Sequence, residues 1–457
     1  MQPGVNDTIA AIATARGRAA LAIVRLSGTD AVDVAARVFS GTNLNEAPSH
    51  TAHFGYVKGK DGDIDQVVAT IFRAPRSSTG EDVVELTCHG GDLAAQLILR
   101  RLLEAGARPA GPGEFTQRSF INGKLDLAQA EAIADLIHAT STAAHRVSIS
   151  HLRGRYSHLL SELRQELLDV AALVELELDF SDEDVEFADR QRLYDILQRA
   201  EELLGRLLGS YTLGERIRDG VRVVIAGRPN AGKSTLMNAL VGFDRAIVSP
   251  TPGTTRDEIE AEAEINGLRF RFVDTAGIRS TEDAIEAEGV RRAQKAIESA
   301  DAVLYLYDVG RCLDDDQRRF LDGIRTSQPA LPLLLIANKI DVAGKRVDEG
   351  VLPMSALQAM ENESALRPVI DWLMDAVADN LSSSDGSAIV MNQRHLAHLR
   401  EAKQAVVRAR LQLDSGHPGD TFSLDLRAAL EELGAITGEI TNEDVLDQIF
   451  SRFCIGK

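Results

Sequence analysis

The stretch VRVVIAGRPNAGKS, residues 221–234, decides how the central part of the chain folds. Its first six residues predict a buried strand, and the glycine-rich loop that follows ends where a helical pattern begins at Lys233. Glycines let the backbone curl so that successive N–H groups face phosphate oxygens, and the N-terminus of the helix adds partial positive charge. The segment therefore predicts a phosphate-binding P-loop. The alternative is a plain glycine turn before a core helix.

Candidate phosphate and metal ligands follow from this loop and from a second motif downstream. Lys233 is expected to reach the β- and γ-phosphates of a nucleotide, and Ser234 to ligate Mg²⁺. The tetrapeptide DTAG at 274–277 ends a later strand, which should place Asp274 near the metal and the Gly277 amide near the γ-phosphate. The candidate residues on the two motifs are Asn230, Ala231, Gly232, Lys233, Ser234, Thr235, Asp274, Thr275, Ala276 and Gly277.

The motif NKID at 338–341, directly after an apolar strand pattern, predicts which base is bound. Asp341 can accept from the N1–H and the exocyclic amine of guanine, a pair that adenine cannot offer, and leaving such buried groups unpaired costs ~1–3 kcal/mol each. Asn338 is expected to brace the loops, and Lys339 to cover the base with its stem. The N–H groups expected to meet the guanine oxygen belong to Ser355, Ala356 and Leu357. These motifs together predict GTP as the substrate.

Length and composition describe a multidomain globular protein. The 457 residues suggest about three domains, and 44% hydrophobic with 26% charged residues is typical of chains that bury sizeable cores. The longest strongly apolar run, at 331–337, is far below the ~20 residues of a membrane span, and the N-terminus lacks a signal-peptide pattern. Three cysteines without CxxC spacing favour reduced thiols over disulfides or zinc. The prediction is a cytoplasmic protein without membrane contact.

Three sequence patterns follow one another along the chain. Short β-type runs with helical patterns at 30–40 and 92–105 predict an α+β unit, and long amphipathic helices follow it. From residue 221, strands alternating with helices predict a mostly parallel α/β sheet, and helical patterns resume after residue 387. Two helical segments flanking an α/β unit predict one helical domain with the α/β domain inserted through it. The predicted domains are 1–121 (α+β), 122–217 (helical, first part), 218–380 (inserted Ras-like α/β G domain) and 381–457 (helical, second part).

Residue 278, directly after DTAG, is isoleucine, whose alkyl side chain cannot orient water as the glutamine of Ras-type GTPases does. With this departure, the chain resembles the MnmE (TrmE) GTPase family from about residue 7 to its last residue. The span SPTPGTTRD at 249–257 is similar to that family's potassium loop and first switch. The resemblance implies a K⁺ beside the phosphates, which would supply the positive charge that an arginine finger brings elsewhere.

The resemblance also implies a role for each polar residue of this span. The implied K⁺ ligands are Asn230, Ser249, Thr251 and Thr254, the implied Mg²⁺ ligands are Ser234 and Thr255, and the implied GTP contacts are Ser249, Pro250, Thr251, Pro252, Gly253, Thr254 and Thr255. In the second switch, Glu286 would orient the attacking water through an intermediary, with two G domains meeting across a dimer. The alternative for Glu286 is a plain solvated helix face, because acidic neighbours surround it.

The span GEFTQRSFINGKLDLAQAEA at 113–132 is similar to the family's junction between N-terminal and helical domains, although by itself it is only a turn leading into a capped helix. The resemblance implies an N-terminal homodimerisation domain like the folate-binding aminomethyltransferases. It would bind a tetrahydrofolate derivative, in the 5-formyl or 5,10-methylene form, at Arg25, Glu85, Lys124 and Lys457. A carboxylate can pair with a pterin edge, and cations suit the glutamate tail of folate. The alternative is a domain that only dimerises.

The last residues, FCIGK at 453–457, fit a prenylation signal badly, because Gly456 and Lys457 occupy positions where that signal has other residue types. By the resemblance they form a strap into the folate pocket, with Lys457 or its carboxylate at the cofactor and Cys454 at the mouth. Cys454 is a candidate catalytic thiolate, with Arg452 and Lys457 as its neighbouring cations. A packing role is the alternative.

The resemblance implies modification of the wobble uridine, position 34, in certain tRNAs, where a carboxymethylaminomethyl-type group is built at C5. GTP hydrolysis would drive G-domain dimerisation and conformational change. The implied partner is the FAD-containing flavoprotein MnmG (GidA), in a heterotetramer that holds the tRNA mainly through the partner. A net charge of −19 agrees with this, because few surplus cations are left to neutralise phosphates. A ribosome-assembly GTPase with an appended RNA module is the rival, which the helical C-terminal pattern disfavours.

Overall fold

The structure is a computed structural model that describes residues 7–179, 190–243, 259–274, 293–311, 313–342, 347–377, 389–414 and 420–457. Its contacts divide the chain into two compact units. The first comprises Met1–Ala134, His151–Leu197 and Gln404–Lys457, and the second Asp135–Ser150 and Gln198–Lys403. Each unit therefore joins segments that are far apart in sequence. The domain boundaries given above stay a prediction.

The N-terminal sheet of the first unit has seven strands in the order β3-β4-β5-β6-β2-β1-β7. Its strands are β1 Ile9–Ile12, β2 Leu21–Ser27, β3 Phe39–Gly41, β4 Thr51–Lys58, β5 Asp63–Phe72, β6 Val83–His89 and β7 Arg108–Pro109. All neighbours pair antiparallel except β1 and β7. Helices α1 (Ala31–Val38) and α2 (Asp92–Glu104) share an apolar core with one face of the sheet, because alternate strand residues such as Val24, Leu26 and Leu86 are fully buried.

The other face of this sheet carries exposed apolar side chains. Phe54 is paired with Val68, and Val68 with Thr87, so the three lie in one row across β4, β5 and β6. Phe54 is 58% exposed and Val68 39%. The neighbouring row contains Arg25 and Glu85, which are partners in the β2–β6 register. Polar candidate residues and an open apolar surface thus share one face.

Seven helices lie between residues 114 and 242 in the described part of the chain. They are α3 Glu114–Ile121, α4 Leu127–His138, α5 Thr142–Leu152, α6 Arg155–Asp179, α7 Arg190–Gly209, α8 Tyr211–Asp219 and, after the second sheet begins, α9 Lys233–Gly242. The C-terminal residues lie against α3: the Phe115 N–H donates to the Lys457 carbonyl (3.2 Å), and the Gly113 N–H donates to the Cys454 carbonyl (3.3 Å). These two bonds fix the last residues on the N-terminal domain.

A buried ionic network fixes α3 against the N-terminal strands. The Arg118 side chain, 9% exposed, pairs with Glu81 at 3.0 Å and with Glu114 at 3.2 Å. Its Nη1 also donates to the Asp7 carbonyl at 2.8 Å. Arg108 donates to Glu114 through Nη1 at 2.9 Å. Although burial alone raises the pKa of Glu114, its hydrogen bonds from Arg108 and from a backbone N–H outweigh burial and leave that pKa below its usual value.

The second unit contains a six-stranded sheet in the order β13-β12-β11-β8-β10-β9. Its strands are β8 Val221–Ala226, β9 Ile259–Ile265, β10 Leu268–Asp274, β11 Ala302–Asp308, β12 Leu333–Asn338 and β13 Leu352–Pro353. All neighbours run parallel except β9 and β10. The central strand β8 is buried on both faces, because Val223 and Ile225 face one apolar cluster and Val224 and Ala226 the other.

The remaining helices follow this sheet along the chain. They are α10 Asp315–Ser327, α11 Ala356–Glu361, α12 Arg367–Val377, α13 Gln393–Asp414, α14 Asp420–Thr437 and α15 Glu443–Phe450, with a 3-10 turn at Glu363–Ala365. Asp314 caps α10 in a capping box with Gln317. In the first unit, α14 packs on α6. Among the described helices, none is both long and apolar enough to cross a membrane.

The predicted fold class is confirmed: an α+β N-terminal domain, helical segments and a mostly parallel α/β domain. The helical patterns predicted at 30–40 and 92–105 are α1 and α2. Sequence reasoning missed the seven-residue β9, and it also did not indicate β1, β3, β7 and β13, which have only two to four residues each. Such runs are too short to show an alternating pattern.

Candidate guanine nucleotide site

The P-loop connects the carboxyl end of β8 to the first turn of α9. Gly227 and Gly232 have φ values of +138° and +100°, a region that favours glycine. A Cβ on Gly227 would lie 2.1 Å from the Leu306 carbonyl oxygen, and one on Gly232 would lie 2.1 Å from Nδ2 of Asn338. Asn230 is also left-handed, with φ +64°. Gly227 and Gly232 are therefore required for two reasons. Their backbone conformation disfavours other residues, and Leu306 and Asn338 leave no space for a Cβ.

Lys233 begins α9 and lies under the loop, only 4% exposed. Its Nζ donates to the carbonyl oxygens of Gly227 (2.8 Å) and Arg228 (2.9 Å). Burial lowers the pKa of Lys233, and the negative charge of Asp274 partly offsets that shift. A desolvated ammonium group held only by neutral carbonyl oxygens, at the N-terminus of a helix, is suited to an anionic phosphate chain.

Ser234 and Asp274 form the candidate metal site. Register pairs Asp274 with Ile225, so the end of β10 lies beside the end of β8. The Ser234 hydroxyl donates to Oδ2 of Asp274 at 2.7 Å, and the carboxylate is 1% exposed. Hydroxyl and carboxylate oxygens are the hard ligands that Mg²⁺ prefers, so this pair fits a magnesium ion held beside phosphates. The structure thus brings the predicted ligand Ser234 together with Asp274, which was predicted to lie near the metal.

The loop after β12 carries the base-reading motif. Asn338 joins three loops, because its Nδ2 donates to the Ala231 carbonyl (2.7 Å) and its Oδ1 accepts from the Ala356 N–H (2.8 Å). Ser355 caps α11 by accepting from the Gln358 N–H. Asp341, three residues further on, is exposed. The two hydrogen bonds of Asn338 are the contacts that its predicted bracing role requires.

Sequence reasoning did not single out two carboxylates that hold these loops. Asp308, the last residue of β11, forms an ion pair with Lys339, with Nζ 2.8 Å from Oδ2. Asp314, at the start of α10, forms one with Arg228 of the P-loop, with Nη1 2.6 Å from Oδ2. A signal was present for Asp308, because it ends a buried strand at the same edge of the parallel sheet as Asp274.

Several predicted residues lie outside the described ranges. They are Ser249, Pro250, Thr251, Pro252, Gly253, Thr254, Thr255, Thr275, Ala276, Gly277 and Glu286. Four of the implied potassium and magnesium ligands are among them, and so is the residue expected to orient water. Their predicted roles stay predictions.

The candidate folate residues lie in the first unit. Arg25 pairs with Glu85, with Nη2 2.8 Å from Oε1, and its guanidinium stands 5.7 Å from the centroid of the Phe115 ring. Phe115 in turn binds the Lys457 carbonyl through its N–H, so three of the four candidates share this neighbourhood. Lys124 donates from Nζ to the Pro75 carbonyl at 3.0 Å, in another contact of the same unit. The Cys454 side chain is exposed, whereas Cys88 is buried.

A glycine-rich loop on a mostly parallel sheet, a buried lysine, a serine–aspartate oxygen pair and an asparagine-braced base loop together define a P-loop GTP hydrolase. Two family models match the chain: "GTP-binding protein TrmE N-terminus" over residues 8–124 and "MnmE helical domain" over residues 127–454. The chain belongs to the MnmE family of tRNA modification GTPases. Its enzymatic activity is therefore GTP hydrolysis, with Mg²⁺, in tRNA modification.

Similar proteins cover the whole chain. "tRNA modification GTPase MnmE" of Salinibacter ruber is 62% identical over 458 residues, which are 99% of each chain. The protein of the same name from Cytophaga hutchinsonii is 43% identical over 99% of this chain and 98% of its own. Among solved structures, Era in complex with MgGDPNP and a segment of 16S ribosomal RNA is 24% identical, over 40% of this chain and 66% of that one, with a TM-score of 0.27. This partial likeness adds nothing to the assignment.

Proposed function

We propose that this GTPase is activated by potassium and acts as a homodimer with a FAD-containing flavoprotein to build a group at C5 of the wobble uridine. A tetrahydrofolate derivative bound to the N-terminal domain would supply the one-carbon unit. The observation that carries the proposal is the Arg25–Glu85 pair beside the Phe115 ring, on the face that also exposes Phe54. This arrangement supports cofactor binding in a chain whose second unit contains the candidate guanine nucleotide site.

In the nucleotide site, Lys233 would bind the β- and γ-phosphates, Ser234 and Thr255 would ligate Mg²⁺ with Asp274 close to the metal, and Asp341 would bind guanine. Potassium would bind at Asn230 and the span 249–255, and Glu286 would orient the attacking water.

Hydrolysis should be much faster in K⁺ than in Na⁺, because Na⁺ is too small for a site sized to K⁺. Equal rates in the two salts would remove the potassium site. Glu286→Ala should lose turnover and keep GTP affinity; lost affinity would make Glu286 structural.

For the folate site, the residues present fit the ligand. Both contacts of the Arg25–Glu85 pair use Oε1 of Glu85, at 2.8 and 2.9 Å, so among the described residues Arg25 leaves the second carboxylate oxygen open to a ligand. A carboxylate oxygen can accept from a pterin N–H edge, and Lys124 can bind a glutamate tail.

Titration with 5-formyltetrahydrofolate tests this site directly. We expect saturable binding to the purified protein, and weaker binding by Glu85→Gln, which keeps the size of the side chain but removes its charge. Glu104→Gln, on the exposed end of α2, is the matched control and should bind like the original protein. Absence of saturable binding would favour an N-terminal domain that only dimerises.

The homodimer proposal rests on the open sheet face. Phe54 and Tyr56 stack edge-to-face, with ring centroids 5.8 Å apart, and remain 58% and 39% exposed. Exposed aromatic side chains on one sheet face are typical of association surfaces. Phe54→Asp should shift the protein from dimer to monomer in light-scattering measurements of mass. Leu93→Asp, an exposed position on α2, is the control and should leave the mass unchanged.

The role of Cys454 divides into two testable alternatives. Its carbonyl accepts from the Gly113 N–H, which supports packing of the strap, whereas its exposed side chain leaves a thiol available for chemistry. Cys454→Ser keeps the backbone contact, so loss of tRNA modification with GTP hydrolysis intact would favour a chemical role for the thiol.

Mass spectrometry of wobble nucleosides from cells lacking the protein tests the modification itself. We place the protein in the cytoplasm, with the partner providing most of the tRNA contacts.

A further inference from the structure

The ion pair between Asp308 and Lys339 connects two loops of the nucleotide site. Oδ2 of Asp308 accepts from the Lys339 ammonium at 2.8 Å, and Oδ1 accepts from the Gly310 N–H at 2.9 Å. The backbones are joined as well, because the Val309 N–H donates to the Asn338 carbonyl at 3.0 Å. Both oxygens of one carboxylate are therefore engaged, and its orientation is fixed from two sides.

Lys339 has an unusual backbone conformation. Its φ is +68°, in the left-handed region that a residue with a Cβ rarely adopts. This sets the direction in which the side chain leaves the loop, and the ion pair with Asp308 then fixes its far end. The side chain is thus held at both ends, with 37% of it exposed. An unrestrained lysine has many rotamers, and restricting them opposes binding.

Electrostatics agree with this geometry. The hydrogen bond from Lys339 is the largest influence on Asp308 and lowers the pKa of its carboxyl below the usual value, while burial opposes that shift. Asp308 is therefore ionised at neutral pH and holds a charged partner. The side chains of Asp308 and Lys339 are 23% and 37% exposed, so solvent screens part of their attraction, and the pair acts mainly by fixing geometry.

We infer that Asp308 is a positioning residue for guanine binding: it holds the far end of the Lys339 side chain, so that the stem of this lysine is in place to cover the base. The inference rests on the proposed guanine-binding role of residues 338–341. Asp308 itself need not touch the nucleotide. It acts by restricting Lys339 before binding, so that less conformational freedom is lost when the nucleotide enters.

The experiment is a double-mutant cycle on the full chain, with dissociation of a fluorescent GDP analogue as the readout. Asp308→Ala and Asp308→Asn should each weaken GDP binding about three- to tenfold, the range expected for immobilising one long side chain. The asparagine variant keeps an oxygen for the Gly310 N–H, so it separates loss of the ion pair from loss of the turn. Asp322→Asn, an exposed carboxylate on α10, is the matched control and should bind normally.

The double variants give the decisive comparison. In a Lys339→Ala background, removing Asp308 should have less than about a twofold further effect, because the side chain it positions is gone. Full additivity would show that Asp308 acts independently of Lys339 and would overturn the inference. If Lys339→Ala weakens binding but neither Asp308 variant does, the inference alone is wrong. If Lys339→Ala has no effect, the proposed role of Lys339 in base binding is wrong too.

Discussion

Replacing Arg118 by methionine should destabilise the N-terminal domain by about 3–5 kcal/mol, the cost of removing one partner from a buried ion pair. Methionine keeps an unbranched apolar stem, so the change acts on the guanidinium, through its charge and its hydrogen-bond donors. Glu81 loses its pairing at 3.0 Å and Glu114 its pairing at 3.2 Å, whereas Arg108 still binds Glu114. Glu81 is therefore the carboxylate left without a cation.

The magnitude follows from burial. The side chains of Arg118, Glu81 and Glu114 are 9%, 17% and 8% exposed, so solvent can compensate little of the lost pairing. Glu81 keeps one hydrogen bond, from the Ser27 hydroxyl at 2.7 Å, which a neutral amide could also accept. Adding Glu81→Gln to Arg118→Met should therefore recover part of the lost stability, because the uncompensated charge is removed.

Hydrogen exchange of peptides covering β2 and α3 is the suitable assay, because unfolding of a multidomain chain does not give one two-state free energy. The control is Arg101→Met on α2, where the ion pair with Glu104 is 3.5 Å long and partly exposed. That variant should lose less than about 1 kcal/mol. Equal protection in the two variants, or no recovery in the double variant, would refute the argument from burial.

Three further predictions follow from local geometry. Gly232→Ala should weaken GDP binding at least about tenfold in a fluorescence titration, because its φ of +100° and a contact of 2.1 Å leave no space for a methyl group; unchanged affinity would contradict this. The pKa values of Asp7 and Glu114 are lowered, since hydrogen bonds from arginines outweigh burial. Both groups therefore contribute stability above pH ~4 that is lost as pH falls through their folded pKa values. The protection factors of the α3 amides, corrected for intrinsic exchange, should be lower at pH 3 than at pH 5, and equal protection factors would count against the network. Gly438→Ala should lower thermal stability more than Gly123→Ala, because both have positive φ but only the first would contact an aromatic ring, at 2.7 Å; equal losses would exclude the clash.

The sequence predicted the features that short segments encode. The P-loop could be recognised because strand, glycines and lysine are contiguous, and NKID because it follows an apolar strand. Periodicity of 2 and 3.6 residues predicted most strands and helices, since burial of one face repeats along each element. The mostly parallel character of the second sheet followed from alternation of the two patterns.

The position of Asp308 at a strand end could have been noticed, but which charged groups pair with each other had no comparable signal, because the partners are far apart in the chain. Asp308 and Lys339 are separated by 31 residues, and Arg118 and Asp7 by 111. Only the strand order brings such groups together, and many charged residues of the same kinds remain exposed. The register also placed Arg25 opposite Glu85, which sequence reasoning had treated as separate ligands rather than as partners of each other.

The nucleotide site combines rigid bracing with a lysine that is unfavourable by itself. Asn338 fixes the P-loop against the base loop through two hydrogen bonds, whereas Lys233 is buried against backbone carbonyls that carry no full negative charge. Its lowered pKa records the cost of removing the ammonium from water. In the proposed site an anionic phosphate would offset that cost, which would concentrate the binding energy of a nucleotide at the phosphates, while the braced loops would add selectivity for the base. The group that binds tightly would then be separate from the groups that discriminate.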